Sequence, residues 1–411
     1  MLSQEDNELL TRVGAGTPMG TLMRRYWVPA TYSHMVAEPD CPPVRVRLLG
    51  ENLVAFRDTD GRVGLLEESC PHRTASLFFG RNEECGLRCV YHGWKFDVDG
   101  KCVDLPSEPP GSTLQRKVKV KAYPCQERGG IVWTYLGPPE FKPEIPDLEW
   151  SRLPDSHRLA SRQILRCNWL QGLEGGFDSS HLAFLHQGIA EGGVLIRPSY
   201  YEVLPTDYGF VVGSGRELDS ERNFWSANVM VMPFHKIIAS VPVAAHMWVP
   251  IDDENTMLYC VDFHPHRPLT AEDVARETSW KGIHSENIPG TDRPIRNKDN
   301  DYLIDRALQA SGDSYTGITG LGTQDNGIQE SMGPIADRTK EHLGVGDTAV
   351  IAIRRFYLQT LKELADGTTP PGLDPASYQL RSSRYTAPKG VPFAESMKEK
   401  TGLEAAVSTE L

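Results

Sequence analysis

Hydrophobic and polar positions change rhythm along this chain. Over residues 44–136 the alternation has the period of two that a half-buried strand needs. Val44-Arg45-Val46-Arg47-Leu48 alternates, residues 52–56 follow, and Asp60-Gly61 and Asp99-Gly100 supply turns. Residues 118–122 and 131–136 predict two more strands. The stretch GPPEFKPEIPDLEW then packs Pro138, Pro139, Pro143 and Pro146 into a segment unfit for helix or central strand, and is expected to be a linker. Beyond it the pattern mixes. Residues 169–186 predict a helix interrupted by Gly172, Gly175 and Gly176, residues 201–212, 227–240 and 257–264 predict antiparallel strands, and residues 325–332 and 350–365 predict helices, the last ending at Gly367. A short helix is expected over residues 4–12, and the tail after Pro370 is expected to be loose or to wrap a neighbour. The predicted class is α+β: an N-terminal antiparallel β domain over residues 1–137, a linker over 138–150, and a sheet-and-helix domain over 151–411.

The length of 411 residues agrees with more than one core, since single cores seldom exceed about 250–300 residues. The net charge of −12, from 43 Lys+Arg against 55 Asp+Glu, weighs against a general nucleic-acid binder but leaves room for a small anion held by local cations. No membrane span is expected, because the most apolar stretch, residues 229–250, carries Pro233, His235, Lys236, Pro242 and His246. The opening MLSQEDNELL lacks the basic flank and apolar run of a signal peptide, so a cytoplasmic setting is expected. In a reducing compartment the eight cysteines read as metal ligands or buried thiols rather than disulfides.

Two cysteines have histidines close by: Cys70-Pro71-His72 and Cys89-Val90-Tyr91-His92. Each half offers one thiolate and one imidazole from a loop between strands, which two opposed fingers would bring to one metal centre. A structural zinc site would also accept two Cys and two His. Cys85, four residues before Cys89, has a spacing that a zinc site could also use. The wider segments CPHRTASL and CVYHGWKFDVDG resemble the cluster-binding loops of Rieske [2Fe–2S] proteins. The resemblance implies that Cys70 and Cys89 hold one iron and His72 and His92 the other, with Trp94 packed beside the cluster. It leaves Cys85 a plain thiol, and the absence of a further cysteine in each loop points to the oxygenase or ferredoxin branch.

The second constellation is Asp178, His181 and His186. On an ideal helix Asp178 and His181 share a face, whereas His181 and His186 stand about 140° apart, so joint metal binding predicts a kink or break before His186. By itself this spacing also suits one buried and one surface histidine. Following a Rieske domain, however, the segment resembles the mononuclear-iron motif of Rieske non-haem iron ring-hydroxylating oxygenases. The resemblance implies Fe(II) held by His181, His186 and a carboxylate from a later helix, assigned to Asp325 with Glu330 as the competitor. It also gives Asp178 a bridging role, linking His92 of a neighbouring chain to His181 of its own, and with it a head-to-tail homotrimer or stacked trimers.

The segment QESMGPIADRTKEHLG and the length are most similar to the phthalate dioxygenase group. This implies an oxygenase component that takes electrons from an NADH-dependent flavin/[2Fe–2S] reductase and uses O₂ to hydroxylate or dihydroxylate an aromatic carboxylate such as a phthalate, benzoate or phenoxybenzoate. O-demethylation of a methoxylated acid, a Rieske electron-transfer protein and a zinc-stabilised binding module are the competing readings. An aromatic acid needs a cation. Arg197, Arg216, Arg222 and Lys236 are candidates, each of which fits a solvated strand or loop residue better than a pocket clamp. Phe177, Phe184, Val231, Met232 and Ile237 are the candidates for an apolar lining, all equally consistent with ordinary core packing.

Overall fold

The computed structural model describes residues 1–187, 198–279, 282–398 and 400–401. Its backbone divides into two compact units: Val13–Gly16 with Gly20–Pro146, and Met1–Arg12 and Thr17–Met19 with Asp147–Leu411.

The first unit is built from three small antiparallel sheets. One contains Val44–Leu48, Glu51–Arg57, Val63–Glu67 and Ala122–Tyr123, and a second contains Arg81–Glu83, Gly86–Arg88, Lys95–Phe96 and Cys102–Asp104. Along Val44–Leu48 the predicted alternation is realised, with Val46 and Leu48 buried and Arg45 and Arg47 exposed. Of the predicted strand at 118–122 only Ala122 joins a strand. Val54, Phe56, Leu66, Leu77, Leu87 and Phe96 form a core that includes Cys70 and Cys89, so both thiols are anchored in apolar packing.

The second unit centres on an eight-stranded antiparallel sheet. Its order runs Arg158–Leu165, Thr256–Phe263, Val243–Pro250, His235–Ile238, Arg222–Val231, Gly209–Glu217, Tyr200–Pro205. Ser383–Pro388 completes it by pairing with residues 222–227, beside the place where His235–Ile238 pairs with 229–231. The predicted 201–212 strand is two strands joined by a turn, and 227–240 likewise. Val243–Pro250 carries no alternation to mark it as a strand, because every residue in it is buried. The tail is not loose within its described part, because residues 383–388 are an integral strand. Arg381 also pairs with Glu149.

Helices Trp169–Phe177 and Thr348–Ala365 pack on this sheet, and Leu321–Ser331 packs against the first of them. The glycines that mark interruptions in the sequence of Trp169–Phe177 let that helix approach the sheet closely. A Cβ on Gly172 or Gly176 would meet the Trp248 indole at 2.3 and 2.4 Å. Glu174 on the same helix is buried and receives both Arg338 (2.8 Å) and Arg354 (2.6 Å). Arg338 also donates to Asn7, which ties in the N-terminal helix Gln4–Thr11. Among the described residues no helix is long and apolar enough to cross a membrane.

Candidate metal centres

In the first unit the two Cys/His loops repeat one backbone design. The Cys70 amide donates to the Ala75 carbonyl (2.8 Å), and the Thr74 amide returns to the Cys70 carbonyl (2.9 Å). The Cys89 amide donates to the Trp94 carbonyl (2.8 Å), and the Gly93 amide returns to the Cys89 carbonyl (2.9 Å). Thr74 and Gly93, at matching places, both have left-handed φ, of 56° and 78°. The second loop is pinned from below by Arg88, which donates to the Gly93 carbonyl and to Asp104. The design brings His72 and His92 to a ring-centroid separation of 4.4 Å. Trp94 stacks on His72 at 4.3 Å with a 9° interplanar angle and is fixed by its indole N–H to Ser107.

The donor set suits a [2Fe–2S] cluster. Nδ1 of His92 is buried without a hydrogen-bond partner, an orphaned lone pair where a ligand atom is needed. Burial, with His72 and Arg73 close by, holds His92 below its ordinary pKa and so favours the neutral ring. Burial pushes the Cys70 thiol up to about 11, with the neighbouring Cys89 adding to the effect, so a bound cation is what would favour the thiolate. All eight cysteines are free thiols, and Cys85 groups with Asp58 and Asp60 rather than with the paired loops.

The second unit holds the other cluster. The helix Trp169–Phe177 ends at Asp178, whose backbone is extended (φ −71°, ψ 120°), and a four-residue helix Leu182–Leu185 follows. The predicted break is present, but it falls between Asp178 and His181, so these two do not share a helical face. His181 and His186 cap opposite ends of the short helix, which brings their rings to 5.1 Å. Asp325 comes from the Leu321–Ser331 helix. His181, His186 and Asp325 have donor atoms all within 4.8 Å of one another. Glu330 is not among them: its carboxylate accepts from the Arg166 amide (3.1 Å) and the Tyr302 hydroxyl (2.7 Å), on other segments rather than within its own helix.

Hydrogen bonding fixes the tautomer of His186. The Gln324 side-chain amide donates to Thr316 Oγ1 and to the Ile318 carbonyl, both at 2.9 Å, so its oxygen faces His186 Nδ1 at 2.8 Å. Nδ1 is therefore the protonated nitrogen, and the Nε2 lone pair points inward. Nε2 is buried, 3.1 Å from Asp325 Oδ1, and lacks aligned hydrogen bonding. Two acceptors facing each other across a buried gap make a cation site. His181 is oriented similarly, with Nδ1 3.5 Å from Asp178 Oδ2 and Nε2 3.5 Å from Asp325 Oδ1. Burial raises the Asp325 carboxyl, but His186, His181 and Lys236 outweigh it and leave the pKa below its ordinary value. Nothing in sequence spacing marks Gln324 as the orienting group.

Of the candidate cations, Arg197 lies outside the described residues. Arg222 is taken up by Asp219 (2.7 Å) and Arg216 sits over the Phe224 ring (4.9 Å). Lys236 behaves differently. It donates to the Gly176 carbonyl, lies 5.2 Å from the Phe177 ring centroid, and has its pKa lowered to about 8 by burial despite nearby Asp325 and Asp178. Phe177 packs on Phe210 (5.4 Å) beneath it. Val231 and Ile237 alternate onto the other face of the sheet, so those two do not line the Lys236 side, and Phe184 is half exposed.

Comparison with known proteins agrees with both halves. Residues 26–124 match the Rieske [2Fe-2S] domain family, and residues 134–395 match the family described as LigXa C-terminal domain like. The oxygenase subunit of 3-chlorobenzoate-3,4-dioxygenase from Comamonas testosteroni is 38% identical over 97% of this chain and 99% of its own length. The oxygenase subunit of phthalate 4,5-dioxygenase from Pseudomonas putida is 40% identical over 94% of this chain and 92% of its own. Among solved structures, dicamba monooxygenase bound to dicamba shares the fold with a TM-score of 0.59 at 18% identity, covering 84% of this chain and 99% of that one.

Proposed function

The chain belongs to the phthalate dioxygenase group of Rieske non-haem iron oxygenases, as an oxygenase component carrying a Rieske cluster and a mononuclear iron, and from that premise we propose that its substrate is an aromatic carboxylate, hydroxylated or dihydroxylated at the second centre. When bound, the cluster supplies electrons one at a time and the ferrous ion activates O₂.

This chain's own residues do the rest. Cys70, His72, Cys89 and His92 are assigned to the cluster, and His181, His186 and Asp325 to the iron, the latter supported above all by their convergence within 4.8 Å. Gln324 and Asp178 each hold the outer ring nitrogen of one histidine, which presents Nε2 of both inward. Asp178 is half-buried, so it can serve His181 and still reach His92 of a neighbouring copy; this supports a head-to-tail ring of three, with the electron path between chains. Lys236 is assigned to the substrate carboxylate, and Phe177 and Phe210 give the ring an apolar bed. Electrons come from a separate reductase, assigned to the NADH-dependent flavin/[2Fe–2S] type, and the setting is assigned to the cytoplasm.

The test is product analysis with labelled O₂ on the iron-loaded protein and a reductase, across benzoates, phthalates and phenoxybenzoates. Label in a ring hydroxyl is the expected result, formaldehyde from methoxybenzoates alone would indicate O-demethylation, and no substrate-stimulated NADH use with any acid would sink the carboxylate reading. Lys236 adds a pH signature. It faces Asp325, Asp178 and Arg384, with His246 opposite it in the sheet, and His246 is kept neutral by burial, its pKa lowered to about 3. Lys236 is charged below about pH 8 and loses its proton above. Carboxylate affinity is therefore expected to fall as pH rises through that value, and a flat profile from pH 7 to 9 would count against Lys236.

A further inference from the structure

Three consecutive residues, Asp301, Tyr302 and Leu303, hold left-handed φ of 48°, 55° and 51°. A single Asp takes this conformation readily. A run that includes an aromatic residue and a leucine crowds each Cβ against the carbonyl that follows. Such a turn persists only where its surroundings over-determine it. Here they do. The Tyr302 amide donates to the Asn297 carbonyl (3.0 Å). Ahead of the turn, Asn300 Oδ1 accepts from the Asn297 amide (3.0 Å) and Asn297 Oδ1 accepts from the Asp299 amide (2.9 Å). Asp299 in turn pairs with Arg166 (2.5 Å) and Arg293 (2.7 Å).

The side chain so placed is that of Tyr302. It is buried, and its hydroxyl donates to Glu330 Oε2 (2.7 Å). Burial and the Glu330 carboxylate hold the phenol well above its ordinary pKa, so it stays a donor. A Cβ built on Gly327 would touch the Tyr302 ring at 3.4 Å, so the ring packs on bare helix backbone there. Gly327 and Glu330 stand three residues apart on one side of the Leu321–Ser331 helix. Asp325 projects elsewhere, about 200° from Gly327 and about 140° from Glu330 round the axis. Tyr302 therefore bears on the back of the helix whose front carries the carboxylate of the iron set. Glu330 also accepts from the Arg166 amide (3.1 Å), just before Asn168 caps the Trp169–Phe177 helix. One carboxylate thus pins three pieces together: the strained turn, the helix of Asp325, and the start of the helix that leads to His181 and His186.

We propose that Tyr302 is a positioning residue for the iron centre: its ring on Gly327 and its hydroxyl on Glu330 set the rotation of the Leu321–Ser331 helix, and with it the place of Asp325 between His181 and His186. The inference rests on the assignment of those three residues to the iron. It goes beyond that assignment by giving the strained turn, and the carboxylate that is not a ligand, a function in the site.

The experiment compares iron-loaded wild type with Tyr302→Phe and Tyr302→Leu. Tyr357→Phe is the matched control, because its hydroxyl is also buried and bound, to the Pro233 carbonyl (2.5 Å), on a helix that bears none of the assigned ligands. Two readouts other than turnover are taken. One is ferrous-iron affinity by competition with a chelator. The other is the EPR spectrum of the ferrous site with nitric oxide as probe, which reports ligand geometry. Thermal midpoint and the visible spectrum of the cluster verify that each variant is folded and cluster-loaded. Tyr302→Phe is expected to weaken iron binding about 3- to 10-fold, the lower part of what a hydrogen bond to a charged group is worth, and to shift or broaden the EPR signal. Tyr302→Leu, which also loses the ring, should weaken it further. Tyr357→Phe should lower the thermal midpoint by a similar amount and leave both iron readouts as in the wild type. Wild-type affinity or a wild-type spectrum in Tyr302→Phe, or a control that shifts both as far, overturns the role of Tyr302 alone. A wild type that holds only about two irons per chain, with no nitric oxide signal, overturns the reading of the iron site with it.

Discussion

The two metal centres are assembled by opposite strategies. The cluster loops lie in one stretch from Cys70 to His92 and are copies of a single hydrogen-bonded turn, so local backbone geometry does most of the positioning. The iron candidates come from both ends of a four-residue helix and from a distant helix, and their convergence depends on the packing of the Trp169–Phe177 and Leu321–Ser331 helices. A site made by local turns tolerates loosening elsewhere. A site made by packing inherits the stability of every contact that holds its helices.

The sharpest way to break this comparison is to remove one centre and read the other. His186→Ala is expected to take product formation to background, a loss of at least about a hundredfold given what orienting partners alone are worth. The visible absorption of the cluster should remain, and iron should fall from about three to about two per chain. Cys70→Ser should do the reverse, bleaching the cluster and leaving about one iron. Loss of both centres in either variant would show that they are not independently built.

Glu174→Gln tests the dependence on packing. Removing the charge that Arg338 and Arg354 share leaves buried cations uncompensated, a cost of about 3–5 kcal/mol. Chemical denaturation followed in the second unit should show that loss, while the cluster signal should persist to the wild-type denaturant concentration. A synchronous loss of both signals would contradict the contrast.

Gln324→Leu acts more gently. It frees the His186 tautomer, so iron affinity should drop about 10- to 100-fold with no change in the cluster spectrum. An unchanged affinity in a competition titration with a chelator would mean that Asp325 alone sets the ring. The smallest effect is expected from Trp94→Leu, which removes the stack on His72 and the bond to Ser107. About 1–2 kcal/mol of stability should go from the first unit, and iron loading at the second centre should be unaffected.

The same contrast explains what the sequence disclosed. The Cys/His pairs and their turn residues are contiguous, so their arrangement was readable from spacing and resemblance. Asp178, His181 and His186 could be listed together, but the break could only be required, not located, because Ser179 and Ser180 carry no strong stop signal. Asp325 sits in the same helix as Glu330, and only the fold separates them, by giving Glu330 to Arg166 and Tyr302. Val243–Pro250 was invisible for the reason that makes it central: burial on both faces leaves no alternation to detect. The strand at residues 383–388 gives no such signal either, because its partners in the sheet, residues 222–227, are distant in sequence.

That short strand also bears on the order in which the protein is made. Residues 222–227 leave the ribosome long before residues 383–388, their partners in the sheet. Until the late segment arrives, the middle of the sheet presents an unpaired edge, open to wrong partners in a crowded cell. The late strand is therefore also the last stitch of the sheet, which closes only once residues 383–388 have been made.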